Sequence, residues 1–424
     1  MISVYFDSII SPFYNFGGLS LGNLHSMSSK DSLANPKKAA LDGLKKMKQV
    51  YDFGQLQFVL PPIRKDYDSL ILRYFSNLEL KDAYVSNPEL FRSIFSSAGT
   101  WLANAWTQTP SIDSLTKKSY IRIANLASMQ HRKIDVLFMT KLLNDVFEFN
   151  SNILLTDRLK NSIYDEGMAN MIRLSSDDNK GYYICVYGAK NTSKYKARHS
   201  IESWKRFILD HHMITNNVIL VEQNPIAIDN GVFHNDVIAF GMDSLLVLHE
   251  LAFTNQDYIL SFIKETFYRR FNQELNIILV SNSQLSIQDV LSSYFFNSQL
   301  LKLSNQKYAL ICPLNCLNYP GIQHIIDSIN SSLDYDLEVV YLDLNESIKN
   351  GGGPACLRNV CYFNSDELHL INKRYMFSED LYFKLYRHIS DYYPEKLSVL
   401  DLTSLDLVGR LNKINDSIIN LFNC

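Results

Sequence analysis

Apolar positions follow two rhythms along this chain, short continuous runs and longer stretches at helical spacing. Residues 36–51 put Ala40, Leu44, Met47 and Tyr51 on one face and several lysines on the other, which predicts an amphipathic helix. Residues 56–60 form a brief apolar run stopped by Pro61-Pro62, the signature of a strand end. Further strands are predicted at 120–124, 182–187, 218–221, 237–240, 245–248, 276–280, 308–312 and 337–342. Gly241-Met242-Asp243-Ser244 is expected to join two of them as a hairpin, and helices are predicted at 287–301 and 321–332. Residues 177–180 and 190–196 are polar and read as loops. A strand–helix–strand theme recurs without an exact repeat, and no low-complexity linker divides the chain. The pattern favours one α/β body.

Length alone would allow about three domains at ~150 residues each, so the missing linkers change that count. Hydrophobic residues make up 46 % and charged residues 20 %, which fits a sizeable core and excludes wholesale disorder. Lys+Arg 41 against Asp+Glu 44 excludes a general polyanion binder, so no nucleic-acid partner is expected. No apolar run approaches the ~18 residues of a membrane span. Residues 1–16 are fairly apolar but carry Asp7 and no basic leader, unlike a signal peptide. Six cysteines (Cys185, Cys312, Cys316, Cys356, Cys361 and Cys424) form no disulfide framework and read as reduced thiols of a cytoplasmic protein.

One of those thiols has a setting suited to chemistry. Asn350-Gly351-Gly352-Gly353-Pro354-Ala355-Cys356 combines glycines that permit positive φ with a proline that stiffens the segment delivering Cys356. Residues 346–349 form a last helical turn before it. The loop either presents a nucleophile, exposed in a cleft, or is a helix cap with an incidental cysteine. A nucleophilic thiol needs a proton partner, and Phe233-His234-Asn235-Asp236 offers one. In extended backbone His234 and Asp236 share a face, which suits a proton carrier beside a cation grip, a metal pair or a polar strand end. His211-His212 and Cys312-x-x-x-Cys316 lack zinc-site spacing, so no metal is expected. Glu166, in Asp165-Glu166-Gly167, is a carboxylate beside a permissive glycine or a solvated turn. Arg132 and Arg198 are carboxylate clamps or surface charges. Gly17-Gly18-Leu19-Ser20-Leu21-Gly22-Asn23 is a weak phosphate-loop candidate.

Taken in order, these segments resemble the N-succinylarginine dihydrolases of the guanidino-group-modifying (pentein) superfamily. The likeness runs through Gly18-Leu19-Ser20 with Gly22-Asn23, Ala103-Asn104-Ala105, His131-Arg132, Asp165-Glu166-Gly167 with Ala169-Asn170, and Ala197-Arg198. It continues through Gln223-Asn224-Pro225, Gly231 to Ala239, Phe296-Asn297-Ser298-Gln299-Leu300-Leu301 and Asn350 to Arg358.

The resemblance implies a single domain over 1–424, a five-bladed α/β propeller with ββαβ units in pseudo-five-fold arrangement. It implies hydrolysis of N-succinylarginine with two waters to N-succinylornithine, two ammonia and carbon dioxide in arginine degradation, with no cofactor, as a homodimer. Catalytic roles would fall to Cys356, His234 and Glu166. Substrate contacts would fall to Gly17, Gly18, Leu19, Ser20, Leu21, Gly22, Asn23, Leu24, His25, Ser26, Asn104, His131, Arg132, Arg198, Asp236 and Asn350. In that reading Asp236 holds the guanidinium nitrogens while Arg132 and Arg198 take the substrate's carboxylates. The rival readings are a deiminase releasing one ammonia and a non-catalytic binder of guanidino compounds. The chain departs from the family pattern at Met171, Tyr14-Asn15-Phe16, Ile63-Arg64-Lys65-Asp66 and His199, which bears on substrate fit more than reaction class.

Overall fold

The computed structural model describes residues 1–76, 78–304, 307–333 and 336–423; Cys424, the sixth cysteine, lies outside them. Among the described residues the strands are β1 (Ile2–Ser8), β2 (Leu56–Leu60), β3 (Trp106–Thr109), β4 (Ser119–Ile123), β5 (Ile153–Thr156), β6 (Met171–Ser175), β7 (Gly181–Tyr187) and β8 (Val218–Glu222). They continue with β9 (Ala239–Met242), β10 (Leu245–His249), β11 (Asn276–Val280), β12 (Gln299–Lys302), β13 (Tyr308–Pro313), β14 (Leu337–Leu342) and β15 (Arg358–Phe363).

These strands form five separate three-stranded sheets with one plan. In each, two strands pair antiparallel, a helix crosses over, and a third strand joins parallel to the second: β3-β4-β5, β6-β7-β8, β9-β10-β11 and β12-β13-β14. The crossover is required, because a parallel neighbour cannot be reached through a tight turn. The fifth sheet joins the first strand to the last: β15 pairs antiparallel with β1, from Ile2 opposite Phe363 to Asp7 opposite Arg358, and β1 pairs parallel with β2. The apolar N-terminal segment is therefore a central strand. All five sheets border one cavity of about 930 Å³, touched by Tyr5, Gln108, Ile172, Phe240, Leu300 and Arg358 among others.

The crossover helices follow the rule used on the sequence. Pro320–Ser332 buries Ile322, Ile325, Ile326 and Ile329, and Gln256–Phe271 buries Leu260, Ile263 and Phe267. Pro36–Asp52 starts with Pro36 in its first turn and the Asn35 side chain accepting from the Lys38 N–H. One of its lysines departs from the expected polar face: Lys46 is fully buried and donates to Asp7 Oδ1 at 2.5 Å.

Three predicted boundaries move by two residues or more, the others by at most one. The helix expected over 287–301 stops at Ser293, where Tyr294 turns left-handed (φ 57°); a short turn at Phe295–Asn297 and then β12 follow. The strand expected at 237–240 begins at Ala239, since Asn235–Val237 is a tight helical turn. The hairpin is shorter than expected: Met242 pairs with Leu245, leaving Asp243-Ser244 as the loop with Asp243 at φ 50°.

Candidate active site

Two loops far apart in sequence make one wall of a pocket of about 570 Å³. Asn23 Oδ1 accepts from the Ser26 N–H at 3.1 Å, capping a short helix, while Asn23 Nδ2 donates to the Gly351 carbonyl at 3.2 Å. Gly351 sits at φ 89°, and a Cβ there would overlap the Asn23 amide, so this close approach demands glycine. Asn350 Nδ2 donates to the Asn15 carbonyl at 3.2 Å. Pro354 then opens the short helix Pro354–Leu357, which carries Cys356.

Cys356 is buried, 3 % exposed, unlike the cleft-exposed thiol of one of the two readings of its loop. Enclosure follows from its neighbours: the thiol donates to Asp236 Oδ2 at 3.2 Å and accepts from Asn297 Nδ2 at 3.2 Å. Asn297 Oδ1 also accepts from the Cys356 N–H at 3.2 Å, so one amide holds both the backbone and the sulfur. Burial pushes the Cys356 thiol well above its ordinary range, and the Asp236 carboxylate pushes it further. The resting group is a thiol.

His234 lines the same pocket from extended backbone at the edge of the turn Asn235–Val237. Its Nε2 meets Glu166 Oε2 at 2.8 Å. Glu166 is held in turn by the Arg132 guanidinium on the same oxygen and by Ser128 Oγ on Oε1 at 2.5 Å. Gly167, at φ 66°, lets this turn press against the Asn104 backbone, while Asn104 Nδ2 donates to the Glu166 carbonyl at 2.9 Å. Burial works against a charged Glu166, but Arg132 and the His234 hydrogen bond outweigh it and hold the carboxyl below its ordinary range. Burial also lowers His234, partly opposed by Glu166 and reinforced by Arg198 and Arg132. The result is a neutral imidazole backed by a fixed carboxylate.

Arg198 donates to Ser20 Oγ at 3.1 Å and to the Leu21 carbonyl at 2.5 Å, and its guanidinium lies 4.8 Å over the Phe233 ring. Burial lowers it to about 10, which leaves it a cation near neutral pH. Three buried polar atoms around this pocket have no hydrogen-bond partner among the described residues: Arg132 Nη2, Arg198 Nε and His234 Nδ1. Such atoms are costly to strand, and their clustering marks where a polar ligand belongs.

Of the residues expected here, Gly17, Gly18, Leu19, Ser20, Asn23, Ser26, Asn104, His131, Arg132, Arg198, Asn350, His234 and Cys356 border the pocket. Glu166 stands behind His234 and Asp236 behind Cys356. Arg132, expected to clamp a substrate carboxylate, spends one nitrogen on Glu166 and keeps the other free. Leu21 is exposed and contributes its carbonyl to Arg198; His25 Nε2 meets the Leu291 carbonyl at 2.8 Å; Gly22 and Leu24 do not border the pocket. Ser97 and Trp101 line it without having been singled out, while Ser128 and Asn297, equally unforeseen, support it through Glu166 and Cys356. Asn297 fell within a matched run, but nothing in its spacing pointed to a thiol. The departure at His199 sits close by, accepting from the Glu166 N–H at 3.2 Å and stacked on Trp204.

The sequence pattern of the succinylarginine dihydrolase family matches residues 1–424. The N-succinylarginine dihydrolase of Pseudoalteromonas atlantica is 33 % identical over 432 residues, covering 99 % of this chain and 96 % of that one. The N-succinylarginine dihydrolase of Shewanella putrefaciens is 34 % identical over 419 residues, covering 95 % and 93 %. Among solved structures, the N-terminal domain of ArgZ, an arginine dihydrolase from the ornithine–ammonia cycle in cyanobacteria, superposes with a TM-score of 0.53 at 11 % identity. It covers 84 % of this chain and 97 % of that domain, a likeness of fold.

Proposed function

The chain belongs to the succinylarginine dihydrolase family, and we propose from that premise that it is a cysteine-dependent hydrolase of N-succinylarginine. Two waters are consumed, and N-succinylornithine, two ammonia and carbon dioxide are formed. The observation that carries the mechanism is the meeting of Cys356 and a Glu166-backed His234 in one pocket with unpartnered arginine nitrogens.

The substrate has a cationic guanidinium at one end and two carboxylates at the other. Arg198 Nε and Arg132 Nη2 are free to donate to the carboxylates, each charged hydrogen bond contributing roughly 1.5–3 kcal/mol. The guanidinium lies toward Cys356 and Asp236. Its positive charge reverses the field that keeps the thiol protonated, so the nucleophile forms only when substrate is docked. As Sγ bonds to the guanidinium carbon, the thiol proton passes to His234 Nδ1, the ring nitrogen with no partner. Glu166 stabilises the imidazolium, which protonates the departing nitrogen. Neutral His234 then takes a proton from water attacking the amidino-thioether. The first round ends at a ureido compound; a second releases the other ammonia, and the carbamate formed loses carbon dioxide.

On the same reading, residues 1–424 form one domain and the five sheets are blades of an α/β propeller. Their common ββαβ plan, the joining of the first and last strands in one sheet and the cavity bordered by all five support this. A cytoplasmic homodimer completes the reading, and sedimentation tests its assembly. Incubation with N-succinylarginine tests the chemistry. Two ammonia per N-succinylornithine are expected, with activity abolished in Cys356→Ala; one ammonia would indicate a deiminase, and none would sink the proposal.

A further inference from the structure

Cys356 and Asp236 separate two spaces. The substrate pocket lies on one side, and on the other lies the cavity of about 930 Å³ bordered by all five sheets. Asp236 borders this second cavity and not the pocket, although its Oδ2 is 3.2 Å from the Cys356 sulfur. Asn235 borders it too. Asn235 Oδ1 and Asp236 Oδ1 are buried acceptors without partners among the described residues. Asn235 is pinned by its backbone N–H, which donates to Asn170 Oδ1 at 2.8 Å. Two adjacent orphaned acceptors call for a small ligand rich in N–H or O–H donors. Beyond them the wall turns apolar at Ile172, Phe240 and Leu300, while Arg358, with an unpartnered Nε, borders the same cavity. That cation acts electrostatically on Asp236 and favours its ionised carboxylate, the stronger acceptor of the two.

We propose that this cavity is a receiving site for the ammonia cut from the guanidino carbon, with Asn235 Oδ1 and Asp236 Oδ1 as its hydrogen-bond acceptors. The inference rests on the hydrolase reading above. In each round the C–N bond breaks, its electron pair leaves with nitrogen, and the proton from His234 completes NH3. The product is then small enough to pass Asp236 while the organic chain stays anchored in the pocket. Separate places for the two products let water reach the thioether without first releasing the substrate's remainder.

The test uses the full chain with ammonium chloride, against tetramethylammonium chloride at equal ionic strength, which has no N–H to donate. Without substrate at pH 8, the rate of Cys356 alkylation by iodoacetamide reports the thiolate fraction. Ammonium is expected to raise that rate, because a cation at Asp236 favours the thiolate. Asn235→Leu should weaken the ammonium response about fivefold, the value of one lost hydrogen bond, and Asn235→Asp should strengthen it. The second variant keeps the test alive if the first fails to fold. During turnover ammonium is expected to lower kcat rather than raise KM. Purely competitive inhibition, or a response unchanged by both variants, would place ammonium elsewhere and overturn the site. Because alkylation needs no turnover, an ammonium response in a chain that leaves N-succinylarginine intact would refute the function and not the site.

Discussion

Two buried ion pairs, Lys46–Asp7 in the terminal sheet and Arg132–Glu166 beside the pocket, are alike in burial and opposite in how fully they are satisfied. Asp7 takes Lys46 on one oxygen and Gln57 Nε2, at 3.0 Å, on the other; among the described residues neither charged group keeps an unpartnered atom, and only the uncharged Gln57 Oε1 is left over. Around Glu166 the carboxylate is saturated, yet Arg132 Nη2 and His234 Nδ1 face outward without partners. The same contrast separates two histidines. His211 meets Thr109 Oγ1 at 2.9 Å and Thr156 Oγ1 at 3.1 Å, using both ring nitrogens, while His234 uses one. In these two comparisons the closed group belongs to the architecture and the open one to the chemistry.

The largest effect expected from this contrast is on rate. Glu166→Gln keeps the shape but removes the charge that stabilises an imidazolium, so kcat should fall ~10²–10⁴-fold. Stability should fall less than at the closed pair, because Arg132 already borders a pocket and can meet solvent there. Steady-state kinetics beside chemical denaturation measures both. A loss of stability with kcat within tenfold would erase the distinction.

The second effect is the converse. Lys46→Met strands the Asp7 carboxylate among apolar neighbours, and breaking a buried pair this way costs about 3–5 kcal/mol. Activity per folded molecule should stay near that of the parent, since the pair joins the helix Pro36–Asp52 to β1 and does not border the pocket. An unfolding curve with unchanged midpoint would show that this pair does not hold the sheet.

Sequence alone resolved what depends on near neighbours. The strands at 56–60, 276–280 and 337–342 have the bounds predicted for them, because each is an apolar run. β3 was illegible for the opposite reason: Trp106-Thr107-Gln108-Thr109 is buried throughout yet mostly polar. Its side chains are satisfied by partners distant in sequence, as when Gln108 Nε2 donates to the Tyr362 carbonyl at 3.0 Å. The helix predicted over 287–301 overran because its pattern carries no sign of the left-handed Tyr294. At the site, Cys356 and His234 stood out by residue type and flanking glycines, whereas Glu166 drew its role from the resemblance. Ser128 and Asn297 stayed hidden, since an amide bonding a thiol 59 residues away leaves no local trace.

The smallest effect separates the histidines by pH. Burial holds His131, His199, His211 and His234 below their ordinary range, His199 at about 3. A depressed histidine favours the folded state above its unfolded value of about 6.5, and that contribution is lost as pH falls below it. Stability should therefore decline between pH 6.5 and 5, measured as the urea midpoint. His211→Gln retains a donor and an acceptor for the two threonines but removes one titrating site. It should flatten the decline by up to roughly 1.4 kcal/mol per pH unit, while the pH profile of kcat keeps its shape. His234→Gln should flatten the same decline and abolish turnover. If His211→Gln shifted the kcat profile instead, the closed histidine would be coupled to the chemistry, and full satisfaction would no longer mark a purely architectural group.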